Sequence, residues 1–357
     1  MKIYKKYIVN NFVKLLLIVS SIFFLLVLFL NLFEELNFFK DTGEGLYYPL
    51  LLNILNAPSI LINIFPFIFL ISAQFLLINL IEKNELLILK NCGIDNLRLI
   101  AIISLVSFIV SLVIIIFFYN FSAKLKHFYL EIKNDFASDN KYLAVITENG
   151  IWIKDEIENK KFIINANLIE GDILKDVVIT QFDNSFSPQK YIYGEVVNIK
   201  NNDWVIKKAI IISNNKRLIK DNFLFQSNFN SEKINTLFSN LTSLTIWELF
   251  DLKKEYNSVG YSVKEINLHL QKIYSFPIYL TILTIFASVL MLNVPFNKPK
   301  FFYLLLGIFV SVLIFYINHF SSLLGENNKL PIKISVWLPH VIVSILTGIG
   351  MVRINEK

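Results

Sequence analysis

Apolar runs at about 12–33, 50–81, 97–121, 273–295, 301–323 and 335–352 dominate the chain, and between the third and the fourth the pattern switches from helical spacing to alternation. About 20 apolar residues cross the roughly 30 Å hydrocarbon core of a bilayer, where each backbone polar group must be satisfied within its own helix. Each run therefore predicts a transmembrane helix. The second is too long for one straight crossing and carries Pro58 and Pro66, which predicts an interfacial lead-in followed by a kinked span.

The alternating region reads GIWIKD from Gly150, KFIINA from Lys161, DVVITQF from Asp176, KYIYGEVVNI from Lys190 and DWVIKKAIII from Asp203. Turn residues separate such runs, among them Asn201, Asn202 and Asp203, then Asn214 and Asn215. This is the pattern of a sandwich or jelly roll. After Glu232 helical spacing returns. Thr245 is placed to cap a helix over IWELFDLKKEY, and Gly260 to close the turn before the fourth span. The expected organisation is three helices in 1–121, an inserted all-β, jellyroll-like domain with a helical return in 122–272, and three helices in 273–357.

Composition agrees with this polytopic α-helical reading: of 357 residues, 55% are hydrophobic and 17% charged, too apolar for an ordinary soluble protein. The net charge of +6 is not a nucleic-acid signature, since no soluble segment carries a basic stripe interleaved with aromatics. It is a topology signal. Lys2, Lys5, Lys6, Lys14, Lys83, Lys90, Arg98, Lys298, Lys300, Arg353 and Lys357 flank one side of the spans, against Lys40, Lys329 and Lys333 on the other. Positive flanks stay in the cytoplasm. Both termini of this multi-pass inner-membrane chain are thus expected in the cytoplasm and 122–272 in the periplasm. The basic, apolar N-terminus resembles a signal peptide, but its run is span-length and lacks a small-residue cleavage site, so it should be retained. The single cysteine, Cys92, allows no intrachain disulfide.

No GxxxxGK[ST] phosphate loop occurs, nor any HExxH, CxxC or GxSxG, so the reading is of a non-catalytic chain without cofactor or metal site. His319 and His340 fall in the last two spans, where helix–helix hydrogen bonding is the commoner role. No acidic or basic residue sits well inside a span, which disfavours a proton-driven carrier. The most informative short segment is IEKNELLILKNCGIDNLRL from Ile81. Here Asn84 can cap a short helix, Glu85 sits at its positive end, Leu86, Leu87 and Leu89 form an apolar face, Gly93 suits the left-handed C′ position, and Asp95 can cap the third span. Two readings stand: a tidy helical hairpin, or a lever that a motor subunit grips.

At Glu85 to Gly93 the chain resembles the LptF/LptG family, permease subunits of the lipopolysaccharide-export ABC transporter, and is closer to LptG. The resemblance extends to LFEEL and Gly43, Glu44 and Gly45 after the first span, GIWIKD, LTIWELFDLKKEYNSVGYSV before the fourth span, and WLPH at Trp337. It implies a periplasmic β-jellyroll that receives lipopolysaccharide, an LptF-like second permease, and a cytoplasmic LptB-like ATPase dimer that seats a coupling helix over 84–92. It also implies LptC- and LptA-like bridge proteins, and lateral lipid entry between span one of one permease and span five of the other. Where LptG proteins can carry lysines after the first span, this chain has Asn37 and Phe38, with Lys40 beyond. Lys40, Lys124 and Lys126 are the candidates for lipid phosphate; equally, Lys124 and Lys126 read as interfacial lysines snorkelling to headgroups. A membrane-anchored scaffold or sensor with a protein-binding outer domain is the rival reading, and a four-span efflux-type ABC permease a weaker one.

Overall fold

The computed structural model describes residues 3–40, 45–136, 151–157, 160–170, 172–183, 187–213, 216–231, 234, 240–259, 263–293, 299–327 and 329–355. Lys2, Gly43, Glu44, Gly150, Asn214, Asn215, Glu232, Gly260, Lys298 and Lys357, all used above, lie outside the described residues. The chain divides into two compact units, Met1–Lys126 with Lys264–Lys357, and His127–Val263.

The first unit begins with α1 (Ile3–Phe38) and α2 (Tyr47–Glu82), followed by the short α3 (Glu85–Asn91). The third span is α4 (Asn96–Val113), continued by a π-helical turn (Ile114–Tyr119) into α5 (Asn120–Phe136), well past its expected end at 121. After the inserted domain and its return helix α6 (Ile246–Val259) come α7 (Lys264–Leu292), α8 (Lys300–Glu326) and α9 (Ile332–Asn355). Among the described residues six helices are long and apolar enough to cross a membrane, as the hydrophobic runs predict. α2 runs unbroken for 36 residues through Pro58 and Pro66, so the expected lead-in and span are one helix. At 1.5 Å per residue it is roughly 54 Å long, more than the hydrocarbon core needs.

Burial ranks these helices. Two-thirds of the most apolar stretch of α2 is buried, 67%, against 17% for α1 and 22% for α8. Phe69, Leu77, Leu99, Ile103 and Leu283 meet in the core around α2. Where water provides no driving force, helices associate through close packing and buried hydrogen bonds. Ser107 and Thr284 join α4 to α7 at 2.9 Å, and the Gln74 amide on α2 donates to the Tyr303 carbonyl of α8 at 3.2 Å. Gly307 lies against Gln74 and Gly350 against Val289, each where a Cβ would collide.

The second unit holds a six-stranded antiparallel sheet whose strands neighbour one another in chain order: β1 (Ile151–Ile157), β2 (Lys160–Glu170), β3 (Ile173–Phe182), β4 (Pro188–Asn198), β5 (Asp203–Ser213) and β6 (Lys216–Gln226). The register aligns Phe162 with Gln181, Lys190, Ser213 and finally Lys216. In a flat sheet Phe225 would therefore stand roughly 30 Å along β6 from that row. Its ring instead lies 5.3 Å from that of Phe162, so the sheet folds over on itself and encloses an apolar inner face. A transverse row explains the bend. Asp176 and Lys208 have positive φ, 50° and 51°, and share a register line with Asn167, Glu195 and Asp221. Across this line the buried positions slip out of alternation, from Leu174 to Val177, Gly194 to Val197 and Ile206 to Ala209. The domain is thus all-β as expected, and its layered character comes from bending a meander rather than from crossover connections.

Local closure is also specific. Asp155 is buried and accepts from the Ser227 hydroxyl at 2.8 Å, the Asn228 N–H at 3.1 Å and the Asn228 side-chain amide at 2.8 Å, tying β1 to the segment after β6. Thr245 caps α6 reciprocally: the Glu248 N–H donates to its hydroxyl at 3.4 Å, and its own N–H donates to the Glu248 carboxylate at 2.7 Å.

Candidate functional site: the α3 hairpin and the polar clusters of the helical unit

Only seven residues long, α3 would not persist alone, since nucleating a helix consumes the gain of its few bonds. Both its ends are held. At the C-terminal end Gly93 adopts φ 79°, its N–H donates to Lys90 O at 2.9 Å, and the Ile94 N–H donates to Leu89 O at 3.0 Å. This is a Schellman closure, with buried Ile94 supplying the apolar contact. Asp95 then accepts from the Arg98 N–H at 2.9 Å and starts α4 as expected. The N-terminal end differs from expectation. Asn84 is itself left-handed, φ 56°, and its side chain makes no capping bond. Glu85 anchors this end instead, because the Tyr7 hydroxyl of α1 lies 2.9 and 2.8 Å from its two carboxylate oxygens. The two residues line a cleft of about 270 Å³ with Asn11, Lys14, Asn79 and Lys83.

The apolar side chains of α3 do not share one face. Leu86 is buried in the helical core and Leu89 packs half-buried against it, whereas Leu87 and Ile88 are 49% and 59% exposed. The outward apolar pair is therefore Leu87 and Ile88, with exposed Cys92 beside them at the C-cap. Tyr7 and Ile88 were missed by sequence reasoning, and only Ile88, within the ELLILKN run, left a signal in the sequence.

His319 and His340 line a second cavity, of about 360 Å³, with Asn63, Lys272, Tyr279 and Asn318. His340 is buried and stacks on Tyr279 with ring centroids 4.7 Å apart; its Nδ1 and the Tyr279 hydroxyl have no hydrogen-bond partner among the described residues. Lys272 at its edge faces Glu326 at 3.6 Å. The cavity is large enough for several water molecules at roughly 30 Å³ each, and polar enough to hold them.

The family described as lipopolysaccharide export system permease LptF/LptG matches residues 6–353, through every span and the β insertion. The chain belongs to the LptF/LptG family. It is a multi-pass membrane protein. The uncharacterized protein RP871 of Rickettsia prowazekii (strain Madrid E) is 25% identical over 207 residues, covering 57% of this chain and 55% of that relative. The chain thus spans about half the length of the curated relative it matches.

In this LptF/LptG chain the three lysines proposed for lipid phosphate have different surroundings. Lys40, just beyond α1, and Lys124 on α5 are exposed, whereas Lys126 is half-buried. Lys126 Nζ donates to Asn56 Oδ1 at 2.6 Å; Asn56 Nδ2 donates to Asn31 Oδ1 at 3.2 Å, Asn31 Nδ2 to Asn53 Oδ1 at 3.0 Å, and Asn53 Nδ2 to the Leu28 carbonyl at 2.8 Å. Every link of this chain donates in the same sense, an arrangement in which neighbouring bonds polarise one another. It binds α5, α2 and α1 together. Asn31, Asn53 and Asn56 are all buried, and their visible signal was polar residues, two of them spaced i,i+3, inside apolar runs.

Proposed function

We propose that the chain is the non-catalytic, LptG-type permease subunit of an ATP-driven lipopolysaccharide exporter, paired with an LptF-like permease and energised by a separate LptB-like ATPase dimer. It lies in the inner membrane with both termini and α3 in the cytoplasm and the β domain in the periplasm. It takes lipopolysaccharide from the bilayer and passes it through the β domain to LptC- and LptA-like bridge proteins. The construction of α3 carries this reading. A short helix fixed at Glu85 by α1 and at Gly93 by its own closure moves as a rigid body with the spans, while Leu87 and Ile88 offer an apolar contact to a motor. A hairpin that merely connected two spans would have no use for that outward pair. The apolar faces that α1 and α8 leave uncovered support lateral lipid entry beside them. Purification in mild detergent, with mass spectrometry of the associated chains and glycolipid, tests the proposal. It should yield a second permease, an ATPase and lipopolysaccharide, and a chain recovered without an ATPase would speak for a scaffold.

A further inference from the structure

Two lysines of the folded sheet converge on one aromatic ring, and a third adds its charge beside them. Lys190 on β4 and Lys220 on β6 place their ammonium groups over one ring, that of Phe223, at 5.4 and 5.7 Å from its centroid. In the register Lys220 stands opposite Ala209, and Lys190 two residues before Ile192, both positions of the enclosed inner face. Lys160, at the start of β2, lies two residues before buried Phe162 on the same face and adds its positive field at Lys190. Burial first, then Lys220 and Lys160, holds the Lys190 ammonium below the usual lysine range. Among the described residues none of the three has a carboxylate partner. Leu218, on the inner face opposite Ile211, is 58% exposed, so apolar surface adjoins this charge.

Like charges gathered without a counter-ion repel, and a partly desolvated ammonium loses hydration that only an anion or an aromatic face restores. Phe223 supplies part of that through cation–π attraction. The remaining demand is for a compact anion, and lysines bind phosphoryl groups as point charges. We infer that Lys190 and Lys220, both over Phe223, form with Lys160 beside Lys190 a subsite for a phosphoryl group borne by a lipid, whose hydrocarbon portion meets Leu218 and the inner face. The inference rests on the reading of the chain as a lipopolysaccharide permease and adds the place where the β domain receives the cargo's phosphate.

Residue-resolved lysine acetylation of the full-length chain in detergent tests it, with three probes: purified lipopolysaccharide, the same material enzymatically dephosphorylated, and inorganic pyrophosphate. Lipopolysaccharide should slow labelling of Lys190 and Lys220 at least threefold while exposed Lys200 and Lys207 label as before. The dephosphorylated lipid should give no such protection, and pyrophosphate less than the intact lipid. Protection by pyrophosphate alone would mean a free-phosphate site and overturn the lipid assignment, as would equal protection by the dephosphorylated lipid. Equal labelling with all probes would remove the subsite. The double variant Lys190→Gln, Lys220→Gln should lower lipopolysaccharide retention about tenfold with Trp204 fluorescence unchanged, and Lys190→Arg should restore most of it. If retention is unaltered while lipopolysaccharide still co-purifies, the subsite fails and the permease reading stands. If no lipopolysaccharide is retained by the wild type, the permease reading itself fails.

Discussion

Tyr7 and Glu85, 78 positions apart in sequence, meet through one phenolic hydroxyl placed between both carboxylate oxygens at 2.9 and 2.8 Å. The start of the first span is thereby latched to the start of α3. A displacement of α3 would be passed to α1 through this contact, and to α4 through the Gly93 turn.

Tyr7→Phe removes the latch and leaves the ring. A hydrogen bond of this kind contributes about 1 kcal/mol net, and partial exposure keeps it at the low end, so the fold should survive while the N-terminal end of α3 loosens. Cys92 is exposed and the only cysteine, which permits spin labelling without engineering. Its electron paramagnetic resonance spectrum should sharpen in Tyr7→Phe. An unchanged spectrum would show that the Schellman closure alone holds the helix.

Exchanges on α3 should separate by face. Ile88→Asp puts an unpaired carboxylate on the outward side, where burial in an apolar groove is strongly unfavourable, and should weaken ATPase capture at least tenfold with the melting temperature unchanged. Leu86→Asp places the same charge in the core and should lower the yield of folded protein. Equal capture of the ATPase by wild type and Ile88→Asp would reduce α3 to a connector.

The donor chain from Lys126 to Leu28 predicts that Asn31→Leu lowers thermal stability, because it severs two side-chain links at once. Interhelical hydrogen bonds in membranes average about 0.6 kcal/mol each, so the loss should be about 1 kcal/mol, read as a lower melting temperature in detergent. Lys126→Met should move it in the same direction, while Lys40→Gln and Lys124→Gln, at exposed positions, should not. If photocrosslinking to lipopolysaccharide falls only in the last two, lipid contact belongs to Lys40 and Lys124 and not to Lys126.

Asp155→Ala would orphan the donors of Ser227 and Asn228 at the closure of the sheet. Ser227 is buried, so leaving its donor unsatisfied costs about 1–3 kcal/mol, whereas exposed Asn228 can turn to water. The urea midpoint followed through buried Trp204 should fall, with the far-ultraviolet signal of the membrane helices retained. A midpoint equal to wild type would mean that the fold-over of the sheet does not depend on this carboxylate.

Where local rules decide, the sequence was legible: Gly93 and Asp95 around α3, and Thr245 at α6, follow from steric freedom and capping chemistry within four residues. The six spans followed from hydrophobic length. Their ends were less legible, because α5 continues the third span with Lys124, Lys126 and Lys133, polar residues that no hydropathy window retains. β6 escaped because Lys216 to Asn222 are exposed on both faces and show no alternation, although Asn214 and Asn215 between two extended runs were a hairpin signal. The fold-over at Asp176 and Lys208 could not be foreseen, since positive φ at a non-glycine residue leaves no reliable mark in sequence. Of the leucines expected on one apolar face of α3, Leu87 does point outward, but Leu86 and Leu89 turn to the core, because in a helix of two turns the packing of its neighbours decides which side is covered.

Proteoliposomes holding this chain, an LptF-like permease and an LptB-like ATPase, loaded with lipopolysaccharide and supplied with a soluble LptA-like acceptor, test the central claim most directly. ATP should drive lipopolysaccharide from the bilayer to the acceptor, hydrolysis should rise with the lipid present, and Ile88→Asp should abolish transfer while the permeases remain paired. Hydrolysis indifferent to lipopolysaccharide, with no ATP-dependent transfer by the wild-type assembly, would contradict the account.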